Sequence, residues 1–325
     1  MIVANKYDIT NVYLYILRCN IIQREAPTTE EIQIYHEHPH YTTEEVFTYR
    51  TKQTWGFTEK NYNKGLHSQE FYEVNIVLCG EATHYIGKNK IRVAAGDSFV
   101  IPPNVMHGYV GGEGFDVYHL LIHPKYLELY SSRLQLIPSF SVLFKIDPLM
   151  REKRMEKLHF RLSEEQLADI LPCLMRIREN SRRTDIEGHI MADGESLTLI
   201  AHLCSVHEKF MGSLEGEAAD DRDFLSSISY IYSHYDEKIT TDMLARIARM
   251  SRNSYISAFK RSTGKTPAKF LMSHRVEMAE QMLKNTGLSV AEIAHKVGCN
   301  DTSHLIKVFS SQTGMTPAAF RQTSR

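Results

Sequence analysis

The sequence predicts a multidomain α+β protein in which a β-rich N-terminal half is followed by a pair of helices and an all-α C-terminal third. Three observations carry that expectation. Up to about residue 123 the chain consists of short apolar runs, such as Val74 to Leu78 and Ser98 to Ile101, punctuated by Gly80, Gly87, Gly96 and Pro102-Pro103-Asn104. Many short strands at this spacing suit a small barrel or sandwich. From Ser163 the apolar spacing becomes helical, with Leu167, Ile170, Leu171, Leu174 and Ile177 in register. The final third repeats its own pattern at a shift of 50 residues.

At 325 residues, 42% hydrophobic and 24% charged, the chain can bury more than one core, which excludes a disordered or collagen-like polymer. No stretch approaches the roughly 18 apolar residues of a membrane span, and Met1 to Asp8 lack the basic-then-apolar order of a signal peptide. A cytoplasmic protein without membrane partners is expected. Cys19, Cys79, Cys173, Cys204 and Cys299 lie far apart and form no CxxC pair, so reduced thiols are expected. Charge is uneven: from Asp223 to Arg325 there are 14 Lys and Arg against 8 Asp and Glu, while residues 1 to 222 carry 24 against 31. A basic terminal third on an acidic body points to a polyanion partner for that third.

In chain order, residues 1–160 are expected as the β domain. Residues 161–211 are expected as a helical segment. Its first helix starts behind the N-cap candidate Ser163, with Pro172 kinking or ending it early, and its second runs from about Ile186 to Phe210. Residues 212–222, small and acidic, have nothing to bury and are expected as a linker. Residues 223–325 form the last domain.

The repeat defines that domain. Ile256, Phe259, Thr263, Gly264, Thr266, Pro267, Ala268, Phe270 and Arg275 fall on Ile306, Phe309, Thr313, Gly314, Thr316, Pro317, Ala318, Phe320 and Arg325. Thr240 or Thr241 and Ser289 can cap the first helix of each unit, Ser251 and Asp301 the second, and Thr266 and Thr316 the third. Pro267 and Pro317 take the first turn of that third helix, where a missing N–H costs nothing. Gly264 and Gly314 are helix stops. Two short helices joined by a tight turn form a helix-turn-helix, whose second helix is the usual reader of the DNA major groove. A generic bundle would show caps and stripes too, but not a duplication with this turn. With Tyr255, Ala258, Phe259 and Ser262 turned inward, Arg252, Asn253, Ile256, Ser257 and Lys260 form the exposed face; the same phase buries Leu305, Val308 and Phe309 and exposes Thr302, Ser303, Ile306, Lys307 and Ser310. Pro267 to Lys284 forms one helix of roughly 27 Å at 1.5 Å per residue, a strut able to hold two reading helices about one DNA turn apart.

These residues, from Leu244-Ala245 and Ser251 through Gly264-x-Thr-Pro to Ile293-Ala294, Gly298, Asp301 and Gly314-x-Thr-Pro, resemble the DNA-binding domain of the AraC/XylS family of bacterial transcription regulators. The resemblance implies seven helices and two recognition helices in successive major grooves. Ser257 and Lys307 stand where the family commonly has Arg, and Ile256 and Ile306 where it is more often polar. Readout is therefore expected to lean on thymine methyls and phosphates.

Residues 65 to 123 carry a second resemblance. Gly65, His67, Gln69, Phe71, Tyr72, Glu73, Gly80, His84-Tyr85, Gly96-Asp97, Ile101-Pro102-Pro103-Asn104 and His107 resemble the two cupin motifs as they occur in sensor domains of the same family. The resemblance implies a cupin-like β-barrel. On an extended strand, His67, Gln69 and Glu73 share one face and can line a pocket with His107. Three readings compete for it: a small organic effector, such as a sugar or related metabolite, held by His67, Gln69, Glu73 and His107; a metal held by His67, Glu73 and His107, which Gln69, standing where a second His would be, weakens; or an unliganded barrel with satisfied polar groups. The first is taken, with no metal and no cofactor. Tyr72, Tyr85, Tyr109, Tyr118 and Trp55 offer stacking faces, although core packing is the plainer role for each. His36, His38 and His40 make a cluster read as a solvated edge or loop. The helices of 161–211 resemble the dimerisation helices that follow such barrels, and the Leu167 to Ile177 stripe suits a partner helix.

The function expected is that of a non-enzymatic, ligand-responsive regulator: a homodimer by resemblance, bound to double-stranded promoter DNA and, if an activator, contacting RNA polymerase. The competing hypothesis is a metal-dependent cupin enzyme fused to a DNA-binding domain, against which Gln69 counts.

Overall fold

The computed structural model describes residues 40–46, 53–87, 89–111, 113–146, 160–215 and 217–323. His36, His38 and Cys19 lie outside them. The chain divides into two compact units, one comprising residues up to Leu134 with Leu143–Ser213, the other Gln135–Val142 with Leu214–Arg325.

The first unit holds nine strands: β1 (His40–Tyr41), β2 (Thr54–Glu59), β3 (Lys64–Gln69), β4 (Tyr72–Cys79), β5 (Glu81–Ile86), β6 (Asn89–Ala94), β7 (Ser98–Ile101), β8 (His107–Gly111) and β9 (Asp116–Ile122), with a short helix α1 (Thr43–Val46). They form a five-stranded sheet in the order β1-β3-β8-β5-β6 and a four-stranded sheet in the order β2-β9-β4-β7. The sheets do not close into one barrel. Their facing sides share a core of Val77, Ala82, Ile86, Ile91, Val93, Phe99, Ile101, Tyr109, Phe115 and Val117, the inward half of an alternating pattern. At the β4–β5 corner a Cβ on Gly80 would stand 2.4 Å from the Gly114 carbonyl oxygen, and φ there is +72°, so only glycine fits this crossing.

Helix α2 (Pro124–Leu134) follows the strands, then α3 (Pro138–Ser141) with a π turn at Val142–Ile146. Helix α4 (Glu164–Ser181) starts at Ser163, whose hydroxyl accepts from the Gln166 N–H while the Gln166 side chain answers back in a capping box. Pro172 does not end it: the helix continues nine residues further, to Ser181, since one missing N–H removes a single bond from a helix otherwise held by its buried face. That face is the Leu167, Ile170, Leu171, Leu174 and Ile177 stripe, and it packs on β2 and α5 (Ile186–Ser213) of its own chain. Tyr118 donates its hydroxyl to the Leu174 carbonyl (3.0 Å), and Gly56 lies so close that a Cβ would meet the Tyr118 hydroxyl and the Ile177 side chain. The expected partner-helix stripe is thus consumed by the fold itself. The expected linker at 212–222 is shorter: α5 ends at Ser213 and α6 begins at Glu217. The acids of the stretch fall in the first turns of α6, where carboxylates oppose the positive helix end.

Asp193 on α5 is half-buried beside β2, accepts from the Thr54 hydroxyl (2.8 Å) and has its pKa raised to about 6, mainly by burial. The folded state therefore prefers the neutral acid. Stability is fully present below the unfolded value near 3.8 and is lost as pH rises through about 6. Discounted for partial exposure, the cost at pH 7 is about 1–2 kcal/mol. Asp193→Asn is expected to raise the melting temperature at pH 7 and leave it unchanged near pH 4; an equal gain at both would reject the ionisation account.

The second unit contains seven helices from Glu217 onward: α6 (Glu217–Ser233), α7 (Thr241–Ile247), α8 (Arg252–Thr263), α9 (Pro267–Asn285), α10 (Val290–Lys296), α11 (Thr302–Thr313) and α12 (Pro317–Thr323). Its caps follow the sequence reading. Thr240, Ser251, Thr266, Ser289 and Asp301 each accept from the N–H groups of the following helix. Gly264 and Gly314 end α8 and α11 with φ of +76°. Phe259 and Phe309 are fully buried, the first against Tyr255 and Phe270, the second against Phe320.

The two helix-turn-helix pairs, α7–α8 and α10–α11, are locked together along α9. Arg275 on α9 donates to the Tyr235 and Glu237 carbonyls, both at 2.7 Å. Gly298, in the turn before α11, has φ of +75°, and a Cβ there would lie 2.5 Å from the Asp236 carbonyl oxygen. Ser273 receives hydrogen bonds from Lys265 (3.0 Å) and Gln312 (3.2 Å), one from each repeat.

Candidate functional site

The outward faces of α8 and α11 match the sequence phase. Arg252, Asn253, Ser257, Lys260, Ser303, Ile306 and Lys307 are exposed, while Ile256, Thr302 and Ser310, expected on the exposed face, are half-buried. Ile306 is 37% exposed, a large apolar side chain at the surface. Arg252 is held 3.4 Å from Asp242, so part of its charge is balanced before any polyanion arrives. His304 is also exposed on α11, beside the face that the helix phase selects. This face offers cations, short polar side chains and one aliphatic group to a groove, the mixture that positions on phosphates and reads base edges and methyls.

The second site lies between the two sheets of the first unit. His67, Gln69, Glu73 and His107 are brought together, although not in the way the sequence implied. The strand breaks at Glu70–Phe71 and the chain passes from one sheet to the other, so His67 and Gln69 sit on β3 in one sheet and Glu73 on β4 in the other. The four converge because both sheets turn these positions inward. His67 lies opposite His107 in the β3–β8 register, with ring centroids 4.2 Å apart. One ligand atom each from His67, Glu73 and His107 falls within 4.8 Å of the others, and all three residues are buried.

Glu73 is the hub. Its Oε2 accepts from Gln69 Nε2 at 3.3 Å and stands 3.5 Å from His107 Nε2, and its Oε1 meets His119 Nδ1 at 2.7 Å. Burial pushes the carboxyl up, but the nearby His107 and the hydrogen bond with His119 outweigh it and hold Glu73 well below the usual carboxylate range. His67 is lowered to about 4, first by burial and then by His107, so it is a neutral imidazole at pH 7. His119 was missed by the sequence reading. It lies 46 residues beyond Glu73 on β9, paired with Asn75, and no local spacing links it to the motif; the one available signal is a histidine placed among apolar strand residues in Val117-Tyr-His-Leu-Leu-Ile122.

The aromatics divide. Tyr109 and Tyr118 are core, the former stacked on His84 at 4.4 Å. Trp55 leans on Phe57 and Tyr72 on Phe144, while Tyr85 carries Lys90 over its ring. His40 is on the edge strand, with Nδ1 2.7 Å from the Ser68 hydroxyl. Cys79, Cys173, Cys204 and Cys299 are buried thiols outside any disulfide.

A sheet pair with a buried polar cluster, joined in one chain to duplicated helix-turn-helix units, defines a transcription regulator with a ligand-binding domain. Comparison with known proteins agrees. Residues 48–190 match the AraC-like ligand binding domain and residues 244–323 a helix-turn-helix domain. The uncharacterized HTH-type transcriptional regulator YdeC of Bacillus subtilis is 25% identical over 262 residues, covering 79% of this chain and 86% of that protein. The HTH-type transcriptional activator RhaR of Enterobacter sp. is 23% identical over 261 residues, covering 80% and 87%. Among solved structures, the DNA-binding domain of AdpA in complex with a target DNA is 30% identical, covers 32% of this chain and 93% of that chain, and gives a TM-score of 0.31. The chain belongs to the AraC family of transcriptional regulators.

Proposed function

We propose that the protein is a bacterial regulator that reads double-stranded promoter DNA through Arg252, Asn253, Ile256, Ser257 and Lys260 on α8 and Thr302, Ser303, Ile306 and Lys307 on α11, under control of a small effector bound between the sheets at His67, Gln69, Glu73 and His107. The observation that carries the reading is the presence, in one compact unit, of two equivalent helices whose equivalent faces are turned outward. A sugar or related metabolite suits the effector site, because the cluster offers several acceptors to hydroxyl donors. No reaction is assigned to the site. A cytoplasmic location accords with the reading, and among the described residues no helix is long and apolar enough to cross a membrane. If the output is activation, RNA polymerase is a further partner.

Homodimerisation is part of the proposal, and α5 rather than α4 supports it. The outward side of α5 carries Ile190, Met191, Gly194, Thr198 and Ala201, all exposed and all uncharged, with Ile190 at 62% and Met191 at 52% exposure. Spacings of three and four residues place them along one side, where a second copy can pack closely.

The test is binding of the full chain to DNA upstream of its neighbouring genes, with footprints expected in two successive major grooves on one face. Asn253→Ala should cost about 1–3 kcal/mol on that site and little on unrelated DNA. Replacing the contacted thymine by uracil should weaken the wild type and leave Ile306→Ala nearly unaffected. A single-groove footprint, or equal uracil losses in both proteins, would remove α11 from the reading.

A further inference from the structure

We propose that Arg249, in the turn between α7 and α8, is a further DNA contact: a cation of the first helix-turn-helix that binds a backbone phosphate beside the groove α8 enters, with no counterpart in the second. The inference rests on reading α8 as a DNA-reading helix and adds a residue outside the faces given that role.

The backbone gives the first sign. Among the described residues, three other than glycine have a positive φ: Asn61 (52°), Asn104 (64°) and Arg249 (50°). Asparagine enters the left-handed region readily because its short polar side chain can bond locally, whereas arginine has nothing local to offset the approach of its Cβ to the following carbonyl. The repeat supplies a control. At the shift of 49 residues that aligns α7 with α10, Arg249 falls on Gly298, where φ is +75°. The two turns share one hydrogen-bond pattern: the N–H after the left-handed residue reaches back into the helix, from Met250 to the Ala245 carbonyl (2.9 Å) and from Cys299 to that of Ala294 (2.8 Å). One turn is made with the residue that suits it and the other with a residue that does not.

What the chain returns to Arg249 is small. Its Nε stands 3.0 Å from Asp223 Oδ2 on α6, but the arginine side chain is 75% exposed and that oxygen has no aligned hydrogen bond. Asp223 Oδ1 is meanwhile held by Arg222 at 2.9 Å. An ion pair this open to water returns less than the left-handed backbone costs a residue with a Cβ. Nor does the negative end of α7 need it, since Arg246 already serves there from within the last turn. Strain that local contacts do not repay collects where function uses it.

The position suits a phosphate. Arg249 comes two residues before Ser251, the N-cap of α8, and three before Arg252, exposed at the start of the reading face. The N-terminal end of a recognition helix is the end that meets the bases, so a long cation leading into it stands at the edge of the groove, where the backbone runs. Asp223 holds the guanidinium there by charge without a fixed hydrogen bond, and a phosphate, which accepts two parallel N–H bonds, replaces it. At the second turn the Asp236 carbonyl oxygen lies 2.5 Å from where a Cβ would stand, so no such side chain fits. The extra anchor belongs to the first half-site alone.

The experiment compares the full chain with Arg249→Gly, Arg249→Asn and Arg249→Lys, on the upstream DNA that the wild type footprints and on a duplex of unrelated sequence, across a range of salt. The Gly and Asn variants are expected to melt no lower than the wild type, because both residues suit the left-handed backbone. They should nevertheless bind both DNAs about 10-fold more weakly at low salt, with a salt slope shallower by about 0.9. Arg249→Lys should keep the slope and lose only part of the affinity, since counterion release follows charge and not the planar fork. Ethylating single phosphates should reveal one, at the first half-site, whose modification weakens the wild type and leaves Arg249→Asn indifferent. Wild-type affinity and slope in Arg249→Gly overturn the phosphate role, and so does a loss of affinity at unchanged slope, which would make Arg249 a support of the turn. A lower melting temperature in the Gly and Asn variants overturns the strain argument and the inference with it. A wild type that binds neither DNA removes the regulator reading itself, whereas a normal footprint beside an indifferent Arg249→Gly removes this inference alone.

Discussion

Phe309→Ala is expected to destabilise the second helix-turn-helix by about 3–5 kcal/mol, and Phe259→Ala the first by a similar amount. Both rings are fully buried at equivalent places in the repeat. Phe309 fills a core made by Val276, Ala279, Leu283, Ile293, Ala294, Val297 and Leu305, with Phe320 edge-on at 5.5 Å. Neighbours drawn from four helices cannot all collapse into the void, so the transfer and cavity terms add. Because α9 and the Arg275 bonds join the repeats, the loss should appear in thermal melts of the full chain as a transition shifted down for the whole second unit. A variant that melts like the wild type would show that α11 is rotated from the phase described.

The second large effect is ionic. Arg252, Lys260 and Lys307 are exposed on the reading faces, and if each neutralises one phosphate, the logarithm of the binding constant should fall with the logarithm of salt at a slope near −2.7. Between 50 and 200 mM that is a loss of about 40-fold. Lys260→Ala should weaken all sequences alike and lower the slope by about 1. Affinity insensitive to salt would separate this face from the phosphate backbone altogether. The Arg252–Asp242 pair, 3.4 Å apart, makes Arg252→Ala the milder change, since that cation already has a partner.

The C-terminal unit was largely legible because its rules are local. A cap acts within three residues, a glycine stop at a single φ, and a repeat exposes both by doubling them. The helix phase of α8 and α11 followed from Tyr255, Phe259, Leu305 and Phe309 for the same reason. The sensor half was legible in composition and in the residues of its cluster but not in their arrangement. Treating His67 to Glu73 as one strand missed the break at Glu70–Phe71 where the chain changes sheet, because neither residue there is glycine or proline. His119 was invisible because strand pairing, not spacing, brings it to Glu73. The α4 stripe shows a third limit. An apolar face on a helix says that it will be covered, and the choice between β2 of the same chain and a second copy depends on tertiary packing that periodicity does not encode.

The joint at Gly298 bears on which operators the protein can use. With the Asp236 backbone pressed against that glycine and Arg275 bridging to the same loop, independent swivelling of the two repeats is opposed, which on the proposed two-groove reading limits how far they can follow a misaligned site. Each base pair inserted between the half-sites turns one away from the other by about 34–36° around the duplex, at 10–10.5 base pairs per turn. A flexible tether would absorb such a change; this joint passes it on undiminished to the DNA, which must twist or bend to comply. If the protein reads DNA as proposed, the spacing of the two halves is a part of the message as binding as the letters in them.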